Sequence, residues 1–173
     1  MNRLIKIVVC LAALIPFVEM IYIAVTEQMG SNSGSFILAY SGSWALNFLV
    51  FSLAIAPAIR ITGLNVLDSL QNLMGLFVFI YASLHVLAWV AVDLNWNWQV
   101  IIEQTMQSPY LIPGVAAYLL LIPLLTNCSN LVQDILGDLC GLIGKLIFPI
   151  VILSMIHFFL ATSEDRTMPG IYA

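Results

Sequence analysis

Two histidines, His85 and His157, are the residues best able to carry chemistry in this 173-residue chain, which contains no others. Each lies inside a long apolar run, where an ionisable side chain is costly and by default marks a functional site. Imidazole is a usual nitrogen ligand of heme iron, so two imidazoles at one depth on two helices could hold one iron from both faces. The alternative is a pair of buried histidines hydrogen-bonded to neighbouring helices, and the residues alone do not separate these interpretations.

The composition is that of a membrane protein. Hydrophobic residues make up 62% of the chain and charged residues 8%, whereas soluble domains carry about 25% charged residues. Because lipid requires every backbone group to be satisfied internally, the sequence predicts an all-α, polytopic membrane helix bundle. The absence of a basic cluster argues against nucleic acid as a partner. No catalytic residue is predicted, since no phosphate-binding glycine loop, zinc-protease motif or nucleophile–base pair is present.

Five apolar segments are each long enough to cross a hydrocarbon core about 30 Å thick. We predict one transmembrane domain over residues 1–173, with five spans at residues 4–25, 44–61, 73–92, 110–125 and 139–161. The positive charges predict a cytoplasmic N-terminus, because one cation, Arg166, then falls outside and four fall inside: Arg3, Lys6, Arg60 and Lys145. The stretch 93–109 is predicted to be either a connecting loop or a short helix on the outer surface.

Residue counting puts both histidines in the outer half of the bilayer. At about 1.5 Å per residue, His85 lies about 18 Å and His157 about 27 Å from the inner ends of their spans. Glu19 reaches about 22 Å up the first span by the same rise. Its carboxyl group could hydrogen-bond an axial imidazole, accept a proton from a quinol, or lie near the interface, either protonated or reaching a polar loop. These roles for Glu19 stay open.

Short motifs occur in a fixed order over residues 8–173. They are Ser41-Gly42 with Ala45-Leu46, Phe48-Leu49, Ala56-Pro57 and Arg60, then Leu73-Met74-Gly75-Leu76, Tyr81-Ala82-Ser83-Leu84-His85, Ser108-Pro109-Tyr110-Leu111, Ile156-His157-Phe158 and Pro169-Gly170-Ile171-Tyr172-Ala173. Together they resemble the MsrQ (YedZ) family, heme-binding membrane subunits of the bacterial periplasmic methionine sulfoxide reductase system. That family belongs to the ferric reductase-like transmembrane superfamily.

The resemblance implies that His85 and His157 are the axial ligands of one heme b toward the periplasmic side, in agreement with the depth estimate. It also implies a multi-pass protein of the bacterial inner membrane. Electrons would come from quinol, so a quinone is a further expected ligand. They would leave to a periplasmic partner, which in the family is a molybdopterin-containing reductase of oxidised methionine.

Several positions depart from the family pattern. A histidine associated with heme on the cytoplasmic side is replaced at Gly144-Lys145, and an arginine linked to that site is replaced at Gln71-Asn72. The second-span Gly-Arg reads Gly42-Ser43. We therefore expect one ligand pair to be kept and the inner site to be lost. The sixth span is expected either to be absent or to belong to a longer natural protein.

Two functional hypotheses follow. The first is an electron-transfer subunit that carries electrons from quinol through the heme between His85 and His157 to a periplasmic protein. It would be at most a subunit of an oxidoreductase. The second is a heme-free accessory subunit of a larger respiratory or photosynthetic membrane complex, which suits the very low charge and the eroded inner site.

Overall fold

A computed structural model describes residues 3–26, 33–64, 67–126 and 143–167, which are helical apart from short turns. The all-α prediction is confirmed for this part of the chain. The helices are α1 (Arg3–Val25), α2 (Ser33–Thr62), α3 (Asp68–Leu87), α4 (Trp98–Gln107), α5 (Leu111–Thr126) and α6 (Ile147–Thr167), and a π-helical segment, Ala88–Asp93, continues α3. They belong to two compact units, Met1–Asn95 and Trp96–Ala173.

In the first unit, α2 and α3 pack on each other along an aromatic seam. The Phe48 ring lies 5.1 Å from the Tyr81 ring and 5.5 Å from the Phe77 ring, measured between centroids. Tyr81 is 1% exposed, and its hydroxyl donates to the Ala13 carbonyl of α1 at 2.9 Å. A buried phenol needs such an acceptor, so this hydrogen bond fixes α1 against the α2–α3 pair.

The second unit is built on the contact of α5 with α6. Its buried side chains include Ala117 and Leu121 of α5 and Ile150 of α6. Helix α4 adds Ile101 to this unit's buried side chains. The predicted beginning of the fifth span, residues 139–142, and the motif at residues 169–173 lie outside the described residues.

The outer surfaces of the long helices are apolar. Within the described residues, four helices are long and apolar enough to cross a membrane, and between 6% and 22% of the residues in their most apolar stretches are buried. Exposed apolar surface on this scale needs a covering, and lipid supplies it. The predicted fourth span is α5, which has 16 residues. It is bent by 111° from α4, and the pair is compatible by length and composition with a fifth, broken span or with a re-entrant loop.

The beginning of α2 differs from the prediction. The second span was predicted to begin at residue 44, whereas α2 begins at Ser33. Serines lower the hydropathy of this stretch, but a serine hydroxyl can bond to the preceding turn of its own helix. Ser41 does so, donating to the Ile37 carbonyl at 2.7 Å. The helix therefore continues through residues that hydropathy assigns to a loop.

The stretch 93–109 contains the short helix that was one of the two predictions for it. The π-helical segment ends where the Leu94 N–H donates to the Trp89 carbonyl at 3.1 Å. Asn95 and Trp96 then take positive φ values of 47° and 58°, a region that non-glycine residues seldom adopt. The Asn97 side chain caps α4, which gives this helix a defined start after the turn.

Candidate functional site

His85 lies on α3, half-buried, with its ring against α2. Its Nδ1 atom is 2.9 Å from the Leu38 carbonyl oxygen. A carbonyl oxygen can only accept a hydrogen bond, so Nδ1 carries the hydrogen and donates. In the neutral imidazole this puts the lone pair on Nε2, the atom that can then bind a metal.

His157 lies on α6 and is also half-buried. Like His85, it places its Nδ1 atom against a main-chain carbonyl of its own unit. Its Nδ1 atom is 2.7 Å from the carbonyl oxygen of Tyr110, the residue before α5. The Tyr110 ring lies 6.0 Å from the imidazole between centroids. The same reasoning puts a hydrogen on Nδ1 of His157 and, in the neutral imidazole, the lone pair on Nε2.

A glycine lies under each imidazole. A Cβ atom built on Gly42 would be 2.7 Å from His85 Nδ1, and one built on Gly114 would be 2.7 Å from His157 Nδ1. Both distances are far below van der Waals contact. The two rings therefore lie directly on helix backbone, where any larger residue would displace them.

Each histidine, taken within its own unit, has the form of a heme-binding imidazole. An imidazole whose Nδ1–H is held by a carbonyl is the usual form of a metal-binding histidine, because that hydrogen bond fixes the tautomer and the ring orientation. Among the described residues, no group of three or more His, Cys, Asp or Glu side chains could hold a metal ion. A heme needs fewer protein ligands, since its porphyrin supplies four nitrogens and the protein supplies the axial ones.

Glu19 is exposed on α1 and has a partner on α2. The Tyr40 hydroxyl donates to a Glu19 carboxylate oxygen at 2.6 Å. The Nδ1 atoms of both histidines lie against main-chain carbonyls, so the main chain takes the orienting role that was one prediction for Glu19. Proton acceptance from a quinol stays a prediction.

An apolar groove of about 360 Å³ lies in the first unit. It is lined by Val9, Phe51, Ala54, Ile55, Ala58, Leu67, Leu70 and Met74. Met74 precedes His85 by eleven residues, about 16 Å along α3 at the α-helical rise. The groove is therefore separate from the imidazole. Its lining offers apolar contacts and no polar side chain to orient a quinone ring, so a quinone site stays a prediction.

Residues 41–137 match the family described as ferric reductase like transmembrane component. With that match over more than half its length, the chain belongs to this family of membrane proteins. It is similar to "Protein-methionine-sulfoxide reductase heme-binding subunit MsrQ" of Ralstonia nicotianae, with 30% identity over 99% of the chain and 80% of the relative. MsrQ of Xanthomonas oryzae pv. oryzae is 34% identical over 86% of the chain and 68% of the relative.

A third relative, "Magnetosome protein MamZ" of Magnetospirillum gryphiswaldense, is 35% identical over 97% of the chain. The match covers 27% of that longer protein. No solved structure matches the chain. These similarities confirm that the chain is MsrQ-like and ferric reductase-like.

The two glycines are the site residues that sequence reasoning missed. Gly42 was noted as part of a motif, and Gly114 was not singled out. A signal was present, because each glycine precedes its histidine by 43 residues. The equal spacing of the two Gly–His pairs is easily overlooked. Each glycine contacts its histidine across two helices, so the pair produces no periodicity within a single helix.

Proposed function

We propose that this chain is a multi-pass membrane electron-transfer subunit in which the Nε2 atoms of His85 and His157 hold one heme b. The observation that carries the proposal is the repeated carbonyl-held imidazole, found once in each unit. Further support comes from the MsrQ relatives, which are named heme-binding subunits. A fixed tautomer with the lone pair on Nε2 is what binding to heme iron requires of each histidine.

Heme bound there would supply one-electron chemistry, the cycling of iron between its ferric and ferrous states. His85 and His157 would both bind the heme through Nε2, and a heme held by two protein ligands would carry electrons in preference to binding oxygen. The Leu38 and Tyr110 carbonyls keep each Nδ1 protonated and raise the donor strength of each Nε2. The surrounding apolar helices keep water away, which also influences the reduction potential.

Electrons would enter from quinol in the bacterial inner membrane and leave to a periplasmic protein. Both histidines are predicted to lie in the outer half of the bilayer, closer to a periplasmic acceptor than to a cytoplasmic donor. The names of the MsrQ relatives describe them as subunits of a protein-methionine-sulfoxide reductase. By this proposal, substrate chemistry belongs to the partner and electron delivery to this chain.

The test is the reduced-minus-oxidised visible spectrum of the protein purified in detergent. We expect sharp low-spin b-type bands in the wild type, and we expect either His85→Ala or His157→Ala to abolish them because each removes one axial ligand. The matched control is Met155→Leu, two residues from His157 and 49% exposed. This control should leave the bands unchanged.

Absence of heme from the wild-type protein, or bands that survive both histidine substitutions, would contradict the proposal. The alternative would then apply, a heme-free accessory subunit of a respiratory or photosynthetic complex. In that case, detergent extraction should recover the chain together with other membrane subunits.

A further inference from the structure

Each histidine belongs to a three-part arrangement of imidazole, carbonyl and glycine. In the first unit these are His85, Leu38 and Gly42, and every member of the second set lies 72 residues after its counterpart. In both sets the carbonyl residue precedes the histidine by 47 residues and the glycine by four. The distances also agree, since an added Cβ would lie 2.7 Å from Nδ1 and 2.9 Å from Cε1 in each set.

The four-residue spacing explains why a glycine is required. In an α-helix, the carbonyl of residue i points toward residue i+4, whose N–H it binds. The second lone pair of this carbonyl oxygen can accept a hydrogen bond from another donor. A side chain on residue i+4 would hinder that donor from reaching the oxygen. With hydrogen in place of a side chain at Gly42, the His85 ring can lie on the helix and reach the Leu38 oxygen.

A methyl group at this position would meet the very atom that makes the hydrogen bond. Relief would require the ring to rotate or withdraw, and either movement lengthens the Nδ1 contact with the carbonyl. The glycine and the carbonyl therefore act together on the direction in which Nε2 points. The same reasoning applies to Gly114, Tyr110 and His157, because the carbonyl of the residue before a helix already accepts the first hydrogen bond of that helix.

We propose that Gly42 and Gly114 are positioning residues that set the orientation of the two axial imidazoles. This inference rests on the proposed function for its connection to heme, while the effect on the rings stands on the contacts of each unit alone. Replacement of an outer partner of a metal-binding histidine commonly weakens metal binding by about 10–100-fold. We expect a loss of that order in heme affinity for Gly42→Ala and for Gly114→Ala.

The matched control is Gly75→Ala. Gly75 lies on α3, the same helix as His85, and an added Cβ there would meet nothing within 4 Å. Helix propensity favours alanine over glycine at all three positions. A loss of heme affinity that is confined to Gly42→Ala and Gly114→Ala therefore results from the contact with the imidazole ring.

The decisive readout is the NMR spectrum of the heme-free protein labelled with ¹⁵N at histidine, in which neither iron binding nor loss of heme can move the ring signals. With two histidines in the chain, the ring signals can be assigned from His85→Ala and His157→Ala. We expect Gly42→Ala to shift the His85 signals and leave those of His157 in place, and Gly114→Ala to do the reverse. Gly75→Ala should shift neither. Ring signals that match the wild type in both alanine variants would overturn the proposal.

A double substitution keeps the test valid if Gly42→Ala folds poorly. In the His85→Ala background the added methyl group has no ring to meet, so Gly42→Ala should be tolerated as well as Gly75→Ala. Equal damage in both backgrounds would overturn the proposal. If the ring signals respond as expected but the wild type holds no heme, the positioning effect stands and the proposed function fails.

Discussion

At the scale of single residues, Glu19 in the first predicted span and Tyr40 of α2 form a hydrogen bond between α1 and α2, with an oxygen–oxygen distance of 2.6 Å. A carboxyl group in lipid depends on such a donor, because water is scarce there. We expect Tyr40→Phe to lower the free energy of unfolding by about 1 kcal/mol, the usual size of such a bond. The measurement is unfolding in detergent mixtures of increasing SDS content.

The control for this prediction is Tyr22→Phe, since Tyr22 lies on α1 and is 60% exposed. Glu19→Gln should be milder than Tyr40→Phe, because the amide oxygen can still accept from the Tyr40 hydroxyl. If Tyr40→Phe is as stable as Tyr22→Phe, the pair contributes nothing measurable to the α1–α2 contact.

At the scale of elements, α4 has the character of a helix lying on the membrane surface. Ile101 is buried within the unit, while Trp98, Ile102 and Met106 are 64%, 61% and 76% exposed. Their i, i+4, i+8 spacing puts them on one face, and the 111° bend turns α4 away from the direction of α5. An exposed apolar stripe on a helix across a spanning helix is typical of insertion at the headgroup level.

We expect Trp98 to be quenched by lipids brominated near the headgroup. Trp98→Phe should therefore remove a large part of the shallow quenching of the protein's fluorescence. Trp44→Phe serves as the control, because Trp44 lies twelve residues into α2 and its ring packs in a tilted arrangement 5.7 Å from the Phe48 ring. An unchanged response to shallow quenchers in Trp98→Phe would show that α4 is covered by protein instead.

Hydropathy predicted the existence of the long helices well and their contacts poorly. The first span, predicted at residues 4–25, agrees with α1 to within one residue, since an unbroken apolar run can hardly be anything else in lipid. The π-helical segment after α3 has no such signal. Neither do the Leu38 and Tyr110 carbonyls, because a main-chain partner is independent of residue type. The role of Gly42 and Gly114 beside the imidazoles can be recognised only when the contacts between helices are known.

At the scale of the whole molecule, the number of spans decides whether one iron can reach both histidines. With five spans, α3 and α6 both run from the inside to the outside. His85 precedes Asp93 by eight residues, about 12 Å, and His157 precedes Ser163 by six, about 9 Å, at the α-helical rise. Both imidazoles are then predicted to lie in the outer half of the bilayer. If α4 and α5 instead form a re-entrant loop that begins and ends on the outer side, α6 runs from the outside to the inside. His157 then lies near the inner surface.

Reporter fusions distinguish these two topologies. We expect alkaline phosphatase fused after Thr167 to be active and green fluorescent protein fused there to be dark, as five spans and a cytoplasmic N-terminus require. Fusions after Gly63, which is inside in both topologies, should behave in the opposite way. A fluorescent fusion after Thr167 would mean four spans across a core about 30 Å thick. The two imidazoles would then lie near opposite surfaces, and the shared heme of the proposed function could not form within one chain.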